Sequence, residues 1–320
     1  MSCDVVALGE MLIDFAARGA DPAGYPTMAA NPGGAPCNFL AALSRYGVST
    51  AFLGKVGDDT FGRLLIATAK AAGIETRGVI KDPAVFTTLA FVTFDAQGDR
   101  SFAFARKPGA DTRLTFEELD LALIDGCKVF HFGSLSLTDE PARTATRRAV
   151  AYAKAREKLV TFDPNLRLPL WRSREEAREQ ILWGLSQADV VKISDEEVDF
   201  LWGCSPEEGA TRLLRDHGVS LAMVTLGPMG CYLKNTGASC RASSPEVTPV
   251  DTTGAGDIFG GSAVSRLLEL GKSPADLTES DLAYIARFAA TAASLSTEKS
   301  GGIPSVPERE EVLRRLRADG

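Results

Sequence analysis

The chain has 320 residues, of which 45% are hydrophobic and 24% are charged, a composition typical of soluble globular proteins. That length allows one large α/β domain with a small appendage, or two domains. The net charge of −7 and the pI near 5.1 argue against a general nucleic-acid-binding protein, although a local basic pocket for a phosphorylated ligand is still allowed.

The numbers and positions of cysteine and histidine narrow the class of protein further. Six cysteines are scattered without paired metal-ligand spacing, so free thiols in a reducing, cytoplasmic compartment are the simplest interpretation. With only His131 and His217, neither a zinc site nor a histidine-based triad is expected. The N-terminus has no basic region and no long apolar run, so we expect no signal peptide and no membrane span.

The first predicted element is a buried strand over 5–9, followed by an acid, Asp14. In open α/β sheets ligands gather at the carboxyl ends of strands, so Asp14 is a candidate ligand-binding residue; a plain surface acid is the alternative. Residues 18–32 are rich in Gly, Ala and Pro and show no strong period.

A helix from Cys37 to about Tyr46 follows Gly33 and Gly34, and Asn38 lies in its first turn. The two glycines let backbone N–H groups approach a small polar ligand, and the Asn38 amide can both donate and accept. A tight turn with a helix cap is the competing interpretation.

A strand over 50–54 and a helix over 60–72 come next, and then two strands over 86–94 and 101–106. Alternating apolar residues, Phe104 among them, predict a hairpin with one apolar face that covers a ligand or a second subunit. Arg106 at its base could direct positive charge into a pocket, or lie on a solvated surface.

From residue 127 onward strands and helices alternate regularly, which predicts a mostly parallel sheet covered on both faces. The predicted strands span 128–132, 159–163, 189–193 and 221–226, and the helices span 139–157, 174–187 and 205–217. Polar residues follow three strand ends, at 163–167, 192–197 and 225–230. Their repeated placement favours one shared cleft, in which Glu197 could meet a hydrated Mg²⁺ ion.

The stretch 250–261 is the one around which the others are organised. Small residues at Gly254, Ala255 and Gly256 precede a helical pattern, so they predict a loop whose free N–H groups hold an anion at a helix N-terminus. Asp257 falls in the first helical turn. It could be an ordinary cap, or it could take a proton from an attacking hydroxyl beside a phosphate.

Two familiar phosphate loops do not fit this stretch. No Gly-Lys-Ser/Thr run occurs, and Phe259 stands where a dinucleotide fingerprint needs its third glycine. A helix over 280–297 follows, and its small residues could pack closely or form a flat wall for an adenine ring. A last amphipathic helix covers 308–317. No internal repeat or low-complexity linker was found, which favours one core domain with a small inserted lid.

Taken together, these motifs resemble the ribokinase-like (PfkB) sugar kinases over essentially the whole chain. The most specific motif is Asp251-Thr252-Thr253-Gly254-Ala255-Gly256-Asp257. The segments 33–38 and 54–59 are similar to the family's N-terminal glycine motif. Within the family the chain looks most like the fructokinases, on the segments 9–14, 104–111, 163–171 and 192–197.

The resemblance implies a single kinase domain over 1–320, a three-layer α/β/α sandwich with a mostly parallel, doubly wound sheet. It also implies a β-sheet lid, formed by about 11–33 and 86–107. The reaction would be transfer of the γ-phosphate of ATP, with Mg²⁺ and K⁺, to a primary hydroxyl of a ketose such as fructose. A homodimer through the lids is expected, with no nucleic-acid or membrane partner.

The resemblance also implies roles for individual residues. Asp257 is the base, and the N–H groups of Gly254, Ala255 and Gly256 form the anion hole. The sugar is held by Asp14, Gly33, Gly34, Asn38, Phe104 and Arg106. The nucleotide lies along Lys192, Thr225, Gly227, Gly230 and the anion loop. Glu197 organises the water around Mg²⁺, and Asp251 and Thr253 ligate K⁺ with oxygens from around 296–301.

Two departures and several alternatives stand beside this expectation. Ser194 replaces the Asn found in many relatives, as in fructokinase-like sequences, and Ser300-Gly301-Gly302 looks longer than the usual motif. The substrate could instead be ribose, a nucleoside or the sugar acid 2-keto-3-deoxygluconate, with Arg106 and Arg167 facing its carboxylate. A sugar-binding regulator without turnover is the alternative from another class, but Asp257 and the anion loop are intact. A nicotinamide-dependent oxidoreductase is disfavoured by the failed fingerprint.

Overall fold

The structure is a computed structural model that describes residues 3–94 and 100–318. Its strands are β1 (Val5–Leu8), β2 (Leu12–Ala20), β3 (Pro26–Gly33), β4 (Thr50–Gly57), β5 (Ile74–Glu75), β6 (Val79–Asp82), β7 (Leu89–Phe94), β8 (Arg100–Ala105), β9 (Val129–Gly133), β10 (Leu159–Asp163), β11 (Val190–Ser194), β12 (Leu221–Thr225), β13 (Cys231–Lys234) and β14 (Ser239–Ala242). Its helices are α1 (Ala35–Arg45), α2 (Thr60–Ala71), α3 (Leu121–Gly126), α4 (Ala142–Lys154), α5 (Arg174–Leu185), α6 (Asp195–Trp202), α7 (Pro206–His217), α8 (Ala255–Leu270), α9 (Glu279–Ser296) and α10 (Arg309–Ala318).

The large sheet has ten strands in the order β14-β13-β12-β11-β10-β9-β1-β4-β5, with β6 paired to β4. Its described pairings are parallel except those of β13, which runs antiparallel to β12 and β14. Parallel strands put their carboxyl ends at one edge of the sheet, which is where the polar segments of the sequence lie. This confirms the predicted mostly parallel, doubly wound sheet.

Both faces of the large sheet are buried under helices. Alternate residues of β1 point to opposite faces: Val6 and Leu8 pack in a core with residues from α4 to α7, whereas Val5 and Ala7 pack with residues from α1, α8, α9 and α10. Two cores on either side of one sheet make three layers, so the predicted α/β/α sandwich is confirmed.

A second, four-stranded sheet has the order β3-β2-β7-β8 and stands apart from the large one. The predicted hairpin is present as the antiparallel pair β7–β8; part of its predicted turn, residues 95–99, lies outside the described residues. The strand starts at Leu89, and Phe86 is exposed. Phe15 of β2 stacks on Phe91 and meets Phe61 of α2 edge-on, which seats the small sheet on the core.

The residues without a clear period form part of β2 and most of β3, which pair antiparallel with each other. The sequence pattern did not predict these two strands, because Gly, Ala and Pro have weak strand propensity. Their pairing comes from tertiary contacts: β2 pairs with β7 and β3, and β3 pairs with β2. Their antiparallel register runs from Leu12 opposite Gly33 to Ala20 opposite Pro26, with an irregularity between Ala17 and Ala20.

Candidate functional site

Two cavities meet at the carboxyl end of the large sheet, with volumes of about 770 Å³ and 470 Å³. We call them the polar cavity and the apolar cavity. They share four lining residues, Thr225, Gly227, Thr252 and Gly256. The predicted site residues that line the polar cavity are Asp14, Gly34, Asn38, Phe104, Lys192, Thr225, Glu197, Gly227, Thr253, Gly254, Gly256 and Asp257. The polar strand ends therefore do form one cleft.

The predicted anion loop opens helix α8, as its small residues indicated. Gly254 is the N-cap residue and has φ of +79°, a left-handed conformation that glycine adopts without strain. A Cβ on Gly256 would lie 2.9 Å from the Lys192 Nζ, so a larger residue there would displace the lysine from its present approach to the loop. The helix start therefore presents backbone N–H groups and a cationic side chain to the same volume.

Asp257 is buried in the first turn of α8, and its carboxylate is engaged across the cleft. Its Oδ2 accepts a hydrogen bond of 2.9 Å from the Asn38 Nδ2 of helix α1. Burial raises the pKa of Asp257, and the Asn38 hydrogen bond and the positive charges of Lys192 and Arg167 oppose that rise. The carboxylate has the position and the environment of a proton acceptor beside an anion loop.

Lys192 and Asp163 form a buried ion pair under the loop, with the Lys192 Nζ 3.1 Å from the Asp163 Oδ2. Burial lowers the pKa of Lys192, but the carboxylates of Asp163, Glu197 and Asp257 outweigh it and the net shift is upward. Lys192 therefore stays cationic in the cleft. Burial acts in the opposite direction on Asp163 and raises its pKa.

Glu197 is held by backbone donors. It forms a capping box at the start of α6: the Ser194 hydroxyl accepts from the Glu197 N–H, and the Glu197 Oε2 accepts from the Ser194 N–H at 2.8 Å. The Glu197 Oε1 accepts from the Leu166 N–H at 2.7 Å. This carboxylate thus joins two loops of the cleft wall while it lines the polar cavity.

Three of the predicted sugar ligands on the small-sheet side line the polar cavity: Asp14, Gly34 and Phe104. Gly33 packs behind Asp14, because a Cβ there would lie 2.5 Å from the Asp14 Oδ2. Burial raises the pKa of Asp14 to about 6, with Arg167 opposing and Asp251 adding to the rise. Asp14 is thus a half-buried carboxylate placed to accept hydrogen bonds from hydroxyl groups.

Arg106 is placed differently from the other predicted sugar ligands. It is buried, and the described lining residues of the two cavities do not include it. Its guanidinium donates to the Asp111 Oδ2, the Thr138 Oγ1 and the Leu135 carbonyl at 2.7–2.8 Å. These bonds fasten the end of β8 to the core loop after β9.

The predicted potassium residues tie the anion loop to the segment after α9. Asp251 accepts from the Thr253 N–H through Oδ1 and from the Gly301 N–H through Oδ2, each at 3.0 Å. The Thr297 carbonyl accepts from the N–H groups of Val250 and Asp251. Hydrogen bonds therefore hold together the segments 250–253 and 297–301, to which the sequence assigned a monovalent cation.

The apolar cavity holds the remaining nucleotide candidates, Gly227 and Gly230, together with Thr225. Its other walls are mostly prolines, small residues and Phe259. Of the small residues predicted to form a wall on the 280–297 helix, Ala290, Ala293 and Ser294 line this cavity. Ala289 and Ala292 instead pack in the core.

Two buried acids of the cleft had no role in the sequence analysis, although both lie in segments that it singled out. Asp163 pairs with Lys192, and Glu10 lines the polar cavity. Glu10 follows the buried strand β1 and Asp163 ends the buried strand β10, so their position was a usable signal; Asp14, in contrast, lies within β2. Their burial was not visible in the sequence.

Helices of the described ranges offer no segment that is long and apolar enough to span a membrane. The model of the pfkB family carbohydrate kinases matches residues 3–309. A fructokinase-1 of Zea mays is 45% identical over 316 residues, covering 98% of this chain and 97% of the relative.

Solved structures agree with that match. A fructokinase from Xylella fastidiosa with bound ATP has a TM-score of 0.91 and 30% identity, covering 100% of this chain and 99% of its own. A fructokinase double mutant from Vibrio cholerae O395, bound to fructose, ADP and a potassium ion, has a TM-score of 0.86 and 30% identity, covering 98% and 99%. The chain belongs to the pfkB family of carbohydrate kinases.

Proposed function

We propose that this protein phosphorylates fructose at the primary hydroxyl of carbon 6 with ATP, giving fructose 6-phosphate. The observation that carries the proposal is a buried carboxylate, Asp257, in the first turn of a helix whose glycine loop faces the same cavity. The names of the similar fructokinases support the sugar. The same names do not favour a different sugar or a sugar acid as substrate. They also do not favour a sugar-binding regulator without turnover.

The polar cavity is the proposed sugar site. Asp14 and Asn38 hold hydroxyl groups by accepting and donating hydrogen bonds, and Gly34 leaves room for the ring to approach the backbone. Phe104 covers the ring from the small sheet. Arg106 acts on the sugar through the position of β8, because its three described hydrogen bonds go to the protein.

Asp257 is the proposed general base. It takes the proton of the primary hydroxyl as that oxygen forms its bond to the γ-phosphorus, while the bond from the γ-phosphorus to the bridging oxygen of ADP breaks. Burial raises the pKa of the carboxylate and so makes it a stronger proton acceptor than an exposed aspartate, which suits proton transfer. Asn38 fixes its orientation.

The negative charge of the reacting phosphoryl group falls on the N–H groups of Gly254, Ala255 and Gly256. Lys192, held cationic by its buried carboxylate partners, adds a full positive charge on the same side. Because phosphoryl transfer needs positioning and charge neutralisation more than covalent help, these groups supply the main stabilisation. The apolar cavity, with Thr225, Gly227 and Gly230, receives the nucleotide base and ribose.

The residues present fit the expected ions. No group of three or more His, Cys, Asp or Glu side chains within 3–94 and 100–318 is arranged as a metal site. Mg²⁺ commonly keeps several waters and binds phosphates with one or two carboxylates, which suits Glu197 at the cavity wall. Asp251, Thr253 and the 296–301 turn would hold K⁺, whose charge would add to the positive field of the anion loop.

The small sheet, formed by about 11–33 and 86–107, is proposed to act as a lid over the sugar. The lid and the core would together make a single domain over 1–320. Exclusion of water by such a lid would limit hydrolysis of ATP. A homodimer through the lids and a cytoplasmic location complete the proposal. Light scattering at working concentration tests the dimer, and a monomeric mass would contradict it.

The product tests the proposal directly. Incubation with Mg²⁺-ATP and fructose should give a sugar phosphate whose phosphorus couples to the protons of carbon 6 in a ³¹P–¹H correlation spectrum. A phosphate on carbon 1 would retain the kinase and overturn the assigned acceptor hydroxyl. ADP formation without any sugar phosphate would overturn the transfer itself.

A further inference from the structure

Glu10 lies just past β1 and lines the polar cavity, yet the proposed mechanism gives it no task. Glu10 is buried, with only 2% of its surface exposed. Its Oε1 accepts a 3.0 Å hydrogen bond from the N–H of Ala35, the first residue of α1. A carboxylate from a distant part of the chain thus sits at the positive end of that helix.

The start of α1 depends on this contact. Its N-cap residue is Gly34, which has no side chain to accept from the first N–H groups. The N–H groups of Cys37 and Asn38 donate to the Gly34 carbonyl, and Pro36 has no N–H. Ala35 therefore carries the one remaining donor of this first turn, and Glu10 satisfies it.

The backbone around Glu10 and the first turn of α1 pack too closely to admit a side chain at either of two glycines. Gly34 has φ of +116°, and a Cβ there would lie 2.4 Å from the Glu10 carbonyl oxygen. A Cβ on Gly9 would lie 2.6 Å from the Pro36 Cγ. The backbone at Glu10 and the first turn of α1 are therefore placed together as one unit.

The second oxygen of Glu10 points to a function beyond packing. Oε2 is buried and accepts no hydrogen bond from the described residues. Burial raises the pKa of Glu10 to about 7, Arg106 lowers it and Asp111 raises it. A buried acid with an unpartnered oxygen destabilises the fold, so its presence at the cleft calls for a functional reason.

Helix α1 links Glu10 to the reacting groups, because Asn38 on its first turn donates to Asp257. We propose that Glu10 is a positioning residue: it fixes the start of α1, and through it holds Gly34 at the sugar and Asn38 against the base. The identity of the sugar rests on the proposed function. The effect of Glu10 on the start of α1 does not depend on it.

Replacement of Glu10 tests this role, with Ser205→Ala as the matched control. Ser205 caps α7, which carries no residue that lines either cavity among those described. We expect Glu10→Ala to raise the KM for fructose roughly 10- to 100-fold, the range seen when a group that orients a ligand-binding residue is removed. The KM for ATP should change less than about twofold. Ser205→Ala should change neither.

Hydrogen exchange gives a readout that does not need turnover. Glu10→Ala should speed exchange of the amides at 35 and at 37–39, while Ser205→Ala should not. Glu10→Gln keeps an oxygen that can accept from Ala35, so it should restore slow exchange and a near-normal fructose KM. Glu10→Asp withdraws that oxygen by one methylene, so it should behave like the alanine variant and serves as a substitute if that one does not fold.

Unchanged exchange at 35–39, together with a normal fructose KM in Glu10→Ala or Glu10→Asp, would overturn the inference. An equal rise in the KM values for fructose and ATP would do the same, because it would indicate general loosening. A wild-type protein without fructose turnover would count against the proposed function, while the exchange measurement would still decide the role of Glu10.

Discussion

The two cavities of the cleft differ in how they would hold their ligands. The polar cavity is lined by five buried or half-buried acids, which are Glu10, Asp14, Asp195, Glu197 and Asp257. The apolar cavity is walled mainly by small and apolar side chains, which include Pro228, Pro245, Val247, Pro249, Phe259, Ala290 and Ala293. The two cavities share Gly256, which belongs to the loop at which phosphoryl transfer is proposed to occur.

The difference shows in which part of the cleft the burial of ionisable groups lowers the stability of the folded protein. Burial raises the pKa of Glu10, Asp14 and Asp257, so ionisation of these groups destabilises the folded protein. The apolar cavity has no such burden, because a flat base needs only shape and apolar contact. Substitutions in the polar cavity should therefore alter chemistry, sugar binding or pH dependence, and those in the apolar cavity should alter nucleotide affinity alone.

The largest effect is expected at the proposed base. Asp257→Asn keeps the shape of the side chain and removes its ability to take a proton. Turnover should fall on the order of 10²–10⁴-fold, with little change in fructose binding measured by calorimetry. Turnover close to that of the wild type would remove Asp257 from this role.

The next effect concerns the anion loop, for which helix α8 offers its own control. Gly254→Ala puts a Cβ 2.9 Å from the Gly302 Cα and 3.0 Å from the Asn38 Nδ2, in a left-handed conformation. We expect turnover to fall roughly 10- to 100-fold, as for a misplaced reacting group. Steady-state rates with saturating fructose and ATP measure this.

Gly271 at the other end of α8 is also left-handed, and a Cβ there would meet nothing within 4 Å. Gly271→Ala should destabilise the protein by about 1–2 kcal/mol and leave turnover unchanged. Equal losses of turnover in the two alanine variants would show that strain, and not the anion loop, is responsible.

A smaller effect is expected in the apolar cavity. Ala293→Leu fills part of its volume, so the KM for ATP should rise about tenfold while the KM for fructose stays constant. Ala283→Leu on the same helix, away from both cavities, is the control and should change neither value. A rise in the fructose KM for Ala293→Leu would contradict the division between the two cavities.

The smallest effect concerns stability and pH at Asp14. Burial raises its pKa to about 6, so protonation of Asp14 stabilises the folded state relative to the unfolded state. This stabilisation is fully present below about pH 4 and is lost as the pH rises through 6. Asp14→Asn should therefore be more stable than the wild type by about 1–2 kcal/mol at pH 7 and equal to it near pH 4.

Urea unfolding at both pH values measures this difference, and the fructose KM should rise in the same variant. A variant less stable than the wild type at pH 7 would show that Asp14 makes favourable contacts that outweigh its burial.

Much of the fold and of the cleft was predictable from the sequence, for separable reasons. The strands β1 and β9–β12 are short, largely apolar runs, which identify buried parallel strands. The anion loop is a local feature, so its small residues sufficed to place the start of α8. Glu197 also had a local signature, because Ser194-x-x-Glu197 is a capping box.

Other features depend on contacts between distant segments. Most of β3 has no strand pattern of its own, and only its pairing with β2 defines it. The partners of Arg106 include Leu135 and Thr138, some 30 residues away, so the sequence could not show that this side chain is anchored to the protein. The contact of Glu10 with Ala35 is hidden in the same way.

The most direct test of the central claim is ADP release from Mg²⁺-ATP with fructose, ribose, 2-keto-3-deoxygluconate or adenosine, each with and without potassium. Strong turnover on fructose, raised by potassium and weak on the other three, is the predicted result. Turnover on another member of the panel with none on fructose would contradict the assigned substrate. Absence of turnover on all four would contradict the proposed kinase activity on this panel.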